Sequence, residues 1–191
     1  MKKSLLLILL SLLATGVFAQ RNEIRVGYGV LTSNRILSGQ TKSFGLDFSD
    51  AKISDPSTTG AISLSYRMKM LSKFRFGITA GYESVTGKYS YTYLGDNHVD
   101  TGKNRFWTMT ADAQFSYLKL PSGIVELYWS ASAGVGFNRQ TIGDYGTHSR
   151  TRFAYQVVPL GISVGIPWVG VYAEAGFGYR GLLQLGAYVR F

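Results

Sequence analysis

The chain closes on VGVYAEAGFGYRGLLQLGAYVRF, Val169 to Phe191. Up to Arg180, the residues Val169, Val171, Ala173, Ala175, Phe177 and Tyr179 alternate with Gly170, Tyr172, Glu174, Gly176, Gly178 and Arg180. After Gly181 the residues Leu183, Leu185, Ala187, Val189 and Phe191 alternate with Gln184, Gly186, Tyr188 and Arg190. A period of two is what a strand needs when its faces meet different surroundings. The stretch therefore reads as two strands joined by a tight turn at Gly181, the second ending on an aromatic.

The same period continues toward the N-terminus. A sixth strand is expected over residues 151–164, with Val158, Leu160, Ile162 and Val164 on one face. Val157 and Pro159 oppose them, and proline cannot donate to a ladder, so a bulge is expected near Pro159. A fifth strand, 124–137, sets Val125, Leu127, Trp129, Ala131, Ala133, Val135 and Phe137 against Glu126, Tyr128, Ser130, Ser132, Gly134 and Gly136. A fourth, 105–118, sets Trp107, Met109, Ala111, Ala113, Phe115 and Tyr117 against Thr108, Thr110, Asp112, Gln114 and Ser116. A third begins at Phe74 and continues through Tyr89, Tyr91 and Tyr93 as a standing hairpin, with its tip between Gly95 and Asn104. The second covers 60–70 and the first 23–31. Polar loops are expected over 32–59, with room for a short helix or strand extension, and over 138–150. Turns fall at Leu71-Ser72-Lys73, Pro121-Ser122-Gly123 and Gly165-Ile166-Pro167. Eight strands with alternating long and short connections predict an all-β, antiparallel, up-and-down transmembrane barrel with both ends on one side.

Composition agrees with export and with a barrel. Of 191 residues, 14% are aromatic and 23 are glycine. There is no cysteine, which excludes disulfides and a lipid-modified N-terminal cysteine. Met1-Lys2-Lys3, the apolar run from Leu5 to Leu13 and Val17-Phe18-Ala19-Gln20 read as a secretory signal peptide over 1–19, cleaved between Ala19 and Gln20. The barrel domain is then 20–191. No later apolar run approaches the length of a spanning helix, about 20 residues.

The two faces differ in charge. The apolar sets carry no Asp, Glu, Lys or Arg, because a cation facing lipid at midplane costs about 2–4 kcal/mol. The opposite set holds Arg25, Arg67, Lys69, Arg75, Glu83, Asp112, Glu126, Glu174, Arg180 and Arg190 among small residues. Lumen charges are expected at Arg25, Arg67, Arg75 and Arg190, paired with Glu83, Asp112, Glu126 and Glu174. An eight-stranded barrel has room only for its own side chains, so a plugged polar core is expected. A soluble barrel with its apolar face inward would carry a Lys- and Glu-rich exterior, and the small-residue set is not that. Membrane-interface aromatics are expected at one end at Tyr82, Trp107, Phe137, Phe177 and Tyr179. At the other they are Phe74, Phe76, Phe115, Tyr117 and Trp168, together with the terminal Phe191.

On these residues the chain resembles the small eight-stranded outer-membrane barrels of the OmpA/OmpX type. The stretch from Gln156-Val-Val-Pro-Leu-Gly-Ile to Phe191 is similar to the outer-membrane β-barrel domain family of Bacteroides-like bacteria. The resemblance covers residues 20–191 and implies residence in the outer membrane of a Gram-negative cell. It also implies passage along periplasmic chaperones and insertion by the assembly machinery, which reads Phe191, Val189, Ala187 and Leu185 on one face of the last strand. Val189 stands where tyrosine is frequent. No peptidoglycan-binding domain is expected beyond Phe191. The implied role is a non-enzymatic envelope component whose extracellular loops meet surface ligands or lipopolysaccharide.

Little catalytic chemistry is offered. The histidines are His98 and His148, both in expected loops. Asp144, His148 and Ser149 supply the residue types of a lipid A-modifying enzyme, but a triad is defined by geometry, not by neighbouring positions. Asp96, His98 and Asp100 alternate, yet two distant histidines and no cysteine make a poor metal site. No cofactor motif is present. A small pore is the third reading. The basic excess at Lys88, Lys103, Arg105, Arg139, Arg150 and Arg152 suits lipid phosphates at the outer rim, and export removes nucleic acid as a partner.

Overall fold

The computed structural model describes residues 22–34, 52–93, 96–120, 124–142 and 147–191. The proposed cleavage site at Ala19 and Gln20 and the loop residue Asp144 lie outside them. Nine strands are formed among the described residues: β1 (Asn22–Val30), β2 (Lys52–Thr58), β3 (Ala61–Lys69), β4 (Phe74–Tyr93), β5 (Asp96–Lys119), β6 (Val125–Ile142), β7 (Thr147–Gly165), β8 (Val169–Gly178) and β9 (Leu183–Arg190).

Neighbouring strands pair antiparallel in the order β1, β3, β4, β5, β6, β7, β8, β9, and β9 returns to β1. That closes an eight-stave barrel. The first and last staves lock the seam at both backbone positions, Asn22 N–H to the Phe191 carbonyl at 3.0 Å and Phe191 N–H to the Asn22 carbonyl at 3.0 Å. Closure leaves no sheet edge around the barrel girdle, which is how β-structure satisfies its backbone polar groups in lipid. The remaining strand, β2, is not a stave. It pairs with the upper half of β4 from Thr58↔Val85 to Lys52↔Ser90, in line with β3 on the same edge. Gly60, at φ 75°, turns the chain between the two.

The wall is tall on one side. β4 to β7 run 18 to 24 residues, whereas β1, β3, β8 and β9 run 8 to 10. The segments expected as loops at 95–104 and 138–150 are largely strand, because β4 and β5 stay paired as far as Tyr93↔Asp96, and β6 and β7 as far as Thr141↔Thr147. Ladder hydrogen bonds carry a hairpin into water after its apolar alternation has ended.

Two corrections follow from breaks in the ladder. At Pro159 two residues of β7, Pro159 and Leu160, face one of β6, Trp129, since Tyr128 pairs with Gly161 and Ser130 with Val158. The missing N–H is absorbed in this bulge, and the phase flips across it. Val157 and Leu160 therefore both face out, and Val158, expected outside, is 1% exposed. At the end of β8, Gly178 (φ 143°) and Gly181 (φ 99°) turn the chain sharply. Tyr179, expected at the membrane interface, is carried inward to 5% exposure, where its hydroxyl lies 2.9 Å from that of Thr110.

Inside, tyrosines lie over glycines on the neighbouring strand. Tyr128 pairs across from Gly161, Tyr172 from Gly186 and Tyr188 from Gly170. Each ring occupies the space a Cβ would need, and all three tyrosines are buried. Small-and-large pairing of this kind fills a narrow lumen while shielding the glycine backbone. Gly161→Ala is accordingly expected to cost about 1–3 kcal/mol by overpacking, because its Cβ would lie 2.5 Å from Cζ of Tyr128. The shift in urea midpoint of the vesicle-inserted barrel measures it. An unshifted midpoint would mean that the ring moves freely.

Candidate functional site

The site is the barrel interior. Alternation sends one residue in two toward the axis, and in this chain that set carries the charge. Five guanidiniums (Arg25, Arg67, Arg75, Arg180, Arg190) and five carboxylates (Glu23, Glu83, Asp112, Glu126, Glu174) are buried, none more than 8% exposed. The buried ionic charge among the described residues therefore sums to zero. All the buried cations are arginine, whose planar fork meets carboxylates with two bonds at once.

The contacts form one connected network. Near the chain ends, Arg75 grips Glu126 with both Nη atoms, Nη2 to Oε2 at 3.2 Å. Arg190 bridges Glu126 at 2.9 Å and Glu23 at 2.6 Å. Glu23 passes the network to Arg25 through its other oxygen. Arg25 then donates to the Tyr128 hydroxyl at 2.9 Å and to Glu174 at 3.4 Å, and Tyr128 itself donates to Glu174 at 2.9 Å. Three aromatic faces surround the Arg25 guanidinium, with ring centroids at 5.0 Å (Tyr128), 4.8 Å (Tyr172) and 5.8 Å (Tyr188).

Glu174 is the hub. Besides Arg25 and Tyr128, it meets Arg180 at 3.3 Å and Arg67 at 3.9 Å. Arg67 continues to Gln114 at 2.6 Å and to Asp112 at 3.6 Å. The network thus joins β1, β3, β4, β5, β6, β8 and β9, and it ends at Arg180 in the β8–β9 turn. Buried ion pairs of this density hold only when the partners satisfy one another.

The sequence-expected lumen residues Arg25, Arg67, Arg75, Asp112, Glu126, Glu174 and Arg190 all lie in this network. Glu83 lies in the lumen but meets no arginine among the described residues. Its carboxylate accepts from Asn34 and Thr58, both at 2.8 Å, and from the buried Thr32 hydroxyl. These donors come from the chain following β1 and from β2, which lie far from Glu83 in sequence. One member, Glu23, was not named from the sequence, and Arg180 was placed on the charged face without a partner. Glu23 sits at the first position of the expected first strand, and Arg180 sits in a turn; its side chain returns to the axis only because Gly178 and Gly181 permit the bend.

The outer surface is the inverse. Val171 is 60% exposed and Leu185 65%, and Val26, Leu64, Ile78, Met109 and Val135 are likewise exposed. Of the aromatics expected at the interfaces, Phe76, Trp107, Tyr117, Phe137, Trp168 and Phe177 are exposed. Tyr82, Phe74 and Phe115 are half-buried against neighbouring rings, Tyr82 4.5 Å from Trp107 and Phe74 4.9 Å from Phe115. On β9, Leu185, Ala187 and Val189 face outward and Phe191 is half-buried. His148 and Ser149 are consecutive positions of β7, opposite Gln140 and Arg139. Among the described residues no three of His, Asp and Glu converge on a metal-sized site.

A closed eight-stave barrel, apolar outside and charged within, is the outer-membrane barrel fold. Among solved structures the chain is similar to the N-terminal β-barrel domain of Pseudomonas aeruginosa OprF, at 12% identity and TM-score 0.51, over 90% of this chain and 98% of that one. It is also similar to Ail, the attachment invasion locus protein of Yersinia pestis, at 17% identity and TM-score 0.42, over 88% of this chain and 93% of that one. No family model matches the sequence, and no curated protein matches it. At 12% identity the OprF likeness bears on the fold.

Proposed function

We propose that the protein is an integral outer-membrane β-barrel of a Gram-negative envelope, non-enzymatic, with a lumen plugged by its own ion pairs. Its extracellular hairpins are the part available to surface ligands. The observation that carries this reading is the inverted burial: aliphatic side chains outside, ten ionised groups inside. In water that arrangement would leave the apolar wall hydrated and the ions desolvated, and lipid removes the first penalty. The network is what supports a plug. Each guanidinium is held by carboxylates or hydroxyls from other staves, and a continuous water column would have to displace them together.

The same reading takes residues 1–19 as the export signal and the outward face of β9, with Phe191, as the segment read by the assembly machinery. It retains the resemblance to the Bacteroides-type barrel-domain family on the closing stretch. Cell fractionation should place the protein in the outer-membrane fraction with heat-modifiable gel mobility. The purified barrel should give almost no conductance in planar bilayers. Steady single-channel steps would remove the plug, and recovery in the soluble periplasm would remove the membrane reading. A lipid A profile altered by the wild type but not by His148→Ala would replace the non-enzymatic role with an enzymatic one.

A further inference from the structure

We propose that the outward face of β5 and β6 carries a site for one phosphorylated lipid of the outer leaflet, with its phosphates between Arg105 and Arg139 and its acyl chains in an alanine trough below. The proposal rests on the outer-membrane reading above and adds a place and a ligand chemistry to it.

The register of the two strands sets out a ladder of facing pairs. From the tall end toward the chain ends they are Arg105↔Arg139, Trp107↔Phe137, Met109↔Val135, Ala111↔Ala133, Ala113↔Ala131 and Phe115↔Trp129. All are outward positions of their strands. The first rung sets two exposed guanidiniums side by side. Directly opposed residues have Cβ atoms about 4.5–5.5 Å apart, and like charges there repel. Lys103 adds a third exposed cation two residues further along the same face of β5. No ion pair among the described residues involves Lys103, Arg105 or Arg139. An anion between the two guanidiniums turns this repulsion into two charge-assisted contacts.

The flanking positions are both serine. Ser84 of β4 lies opposite Arg105, and Ser149 of β7 lies opposite Arg139. Ser84 is 4% exposed and its Oγ has no hydrogen-bond partner. The exposed Ser149 hydroxyl adds one donor beside Arg139 for a phosphate oxygen, while Ser84, buried, ends the row on the other side.

What lies beneath the row selects a lipid over a free anion. Trp107 and Phe137 form an aromatic rung, the type of side chain that sits at headgroup level. Two rungs of alanine follow at a depth suited to acyl chains. They are bordered by Ile78 on β4, across from Ala111, and by Tyr155 on β7, across from Ala133. Bulky walls and an alanine floor make a shallow channel two strands wide, about 10 Å. A soluble phosphate would make no use of it.

The test uses the full mature chain, folded and in mild detergent, with lipid retention read by native mass spectrometry. Three probes are compared: lipid A carrying both phosphates, the same lipid dephosphorylated, and phosphatidylcholine. The wild type should retain the phosphorylated lipid at least about tenfold better than either control. The double variant Arg105→Gln/Arg139→Gln should lose that preference, and Arg150→Gln, a rim cation out of this row, should keep it. Heat-modifiable mobility reports whether each variant is folded, and a single Arg139→Gln serves if the double variant is not. Retention indifferent to phosphate, or unchanged in the folded double variant, overturns the site. Failure of the protein to fractionate with the outer membrane overturns the localisation instead, and the retention assay still judges the site.

Discussion

Glu174→Ala is expected to destabilise the folded barrel by about 3–5 kcal/mol, the cost of leaving buried charge unpaired. Glu174 is the only acid that meets Arg180 among the described ion pairs, and it also faces Arg25 and Arg67. Its loss leaves a net positive cluster in a closed lumen and removes the acceptor of the Tyr128 hydroxyl. Urea unfolding of the vesicle-inserted protein, followed by tryptophan fluorescence, measures the change. Glu174→Gln keeps the size and the hydrogen-bonding oxygen while removing the charge. A large loss in both variants assigns the effect to charge, and a large loss in alanine alone assigns it to packing and the Tyr128 bond. A midpoint shift equivalent to less than about 1 kcal/mol in both would contradict the network, since uncompensated burial costs more than that.

The second large effect belongs to the outer wall. Leu185→Arg places a cation at an outward position of β9, between Tyr28 on β1 and Ala173 on β8. At bilayer midplane this costs about 2–4 kcal/mol, and the cost falls toward the interfaces. Val171→Arg should behave alike, because Val171 faces outward on β8 across from Ala187. The folded fraction recovered when denatured chain is diluted into phospholipid vesicles gives the comparison. Leu185→Phe should fold as the wild type does. Equal recovery of Leu185→Arg and wild type would mean that this face never meets lipid, and the orientation of the whole barrel would have to be reversed.

The outer wall and the lumen were readable from the chain for the same reason. A strand's faces are decided by position parity alone, so Val171, Ala173 and Glu174 declare their sides without knowledge of any partner. The bulge at Pro159 was readable because a missing N–H is a property of one residue. The flip at Val158 was not, since two successive valines do not say which one the bulge turns inward. Tyr179 followed parity until two glycines with positive φ ended the strand beneath it. β2 falls where a strand extension was allowed for, and the outer ends of β5 to β7 escaped for another reason. Above the lipid no apolar face is required, so a paired strand and a polar loop have similar composition.

Sequence by itself determined the architecture, the sidedness and the presence of charge inside, because each follows from a local period and from the cost of a bare charge in lipid. Only the tertiary structure decided which charges meet. The Glu174 hub, the three rings around Arg25, the hydroxyls on Glu83 and the rung of Arg105 with Arg139 all depend on register between strands. Register is set by closure of the cylinder and by its bulges, and those are properties of the whole sheet.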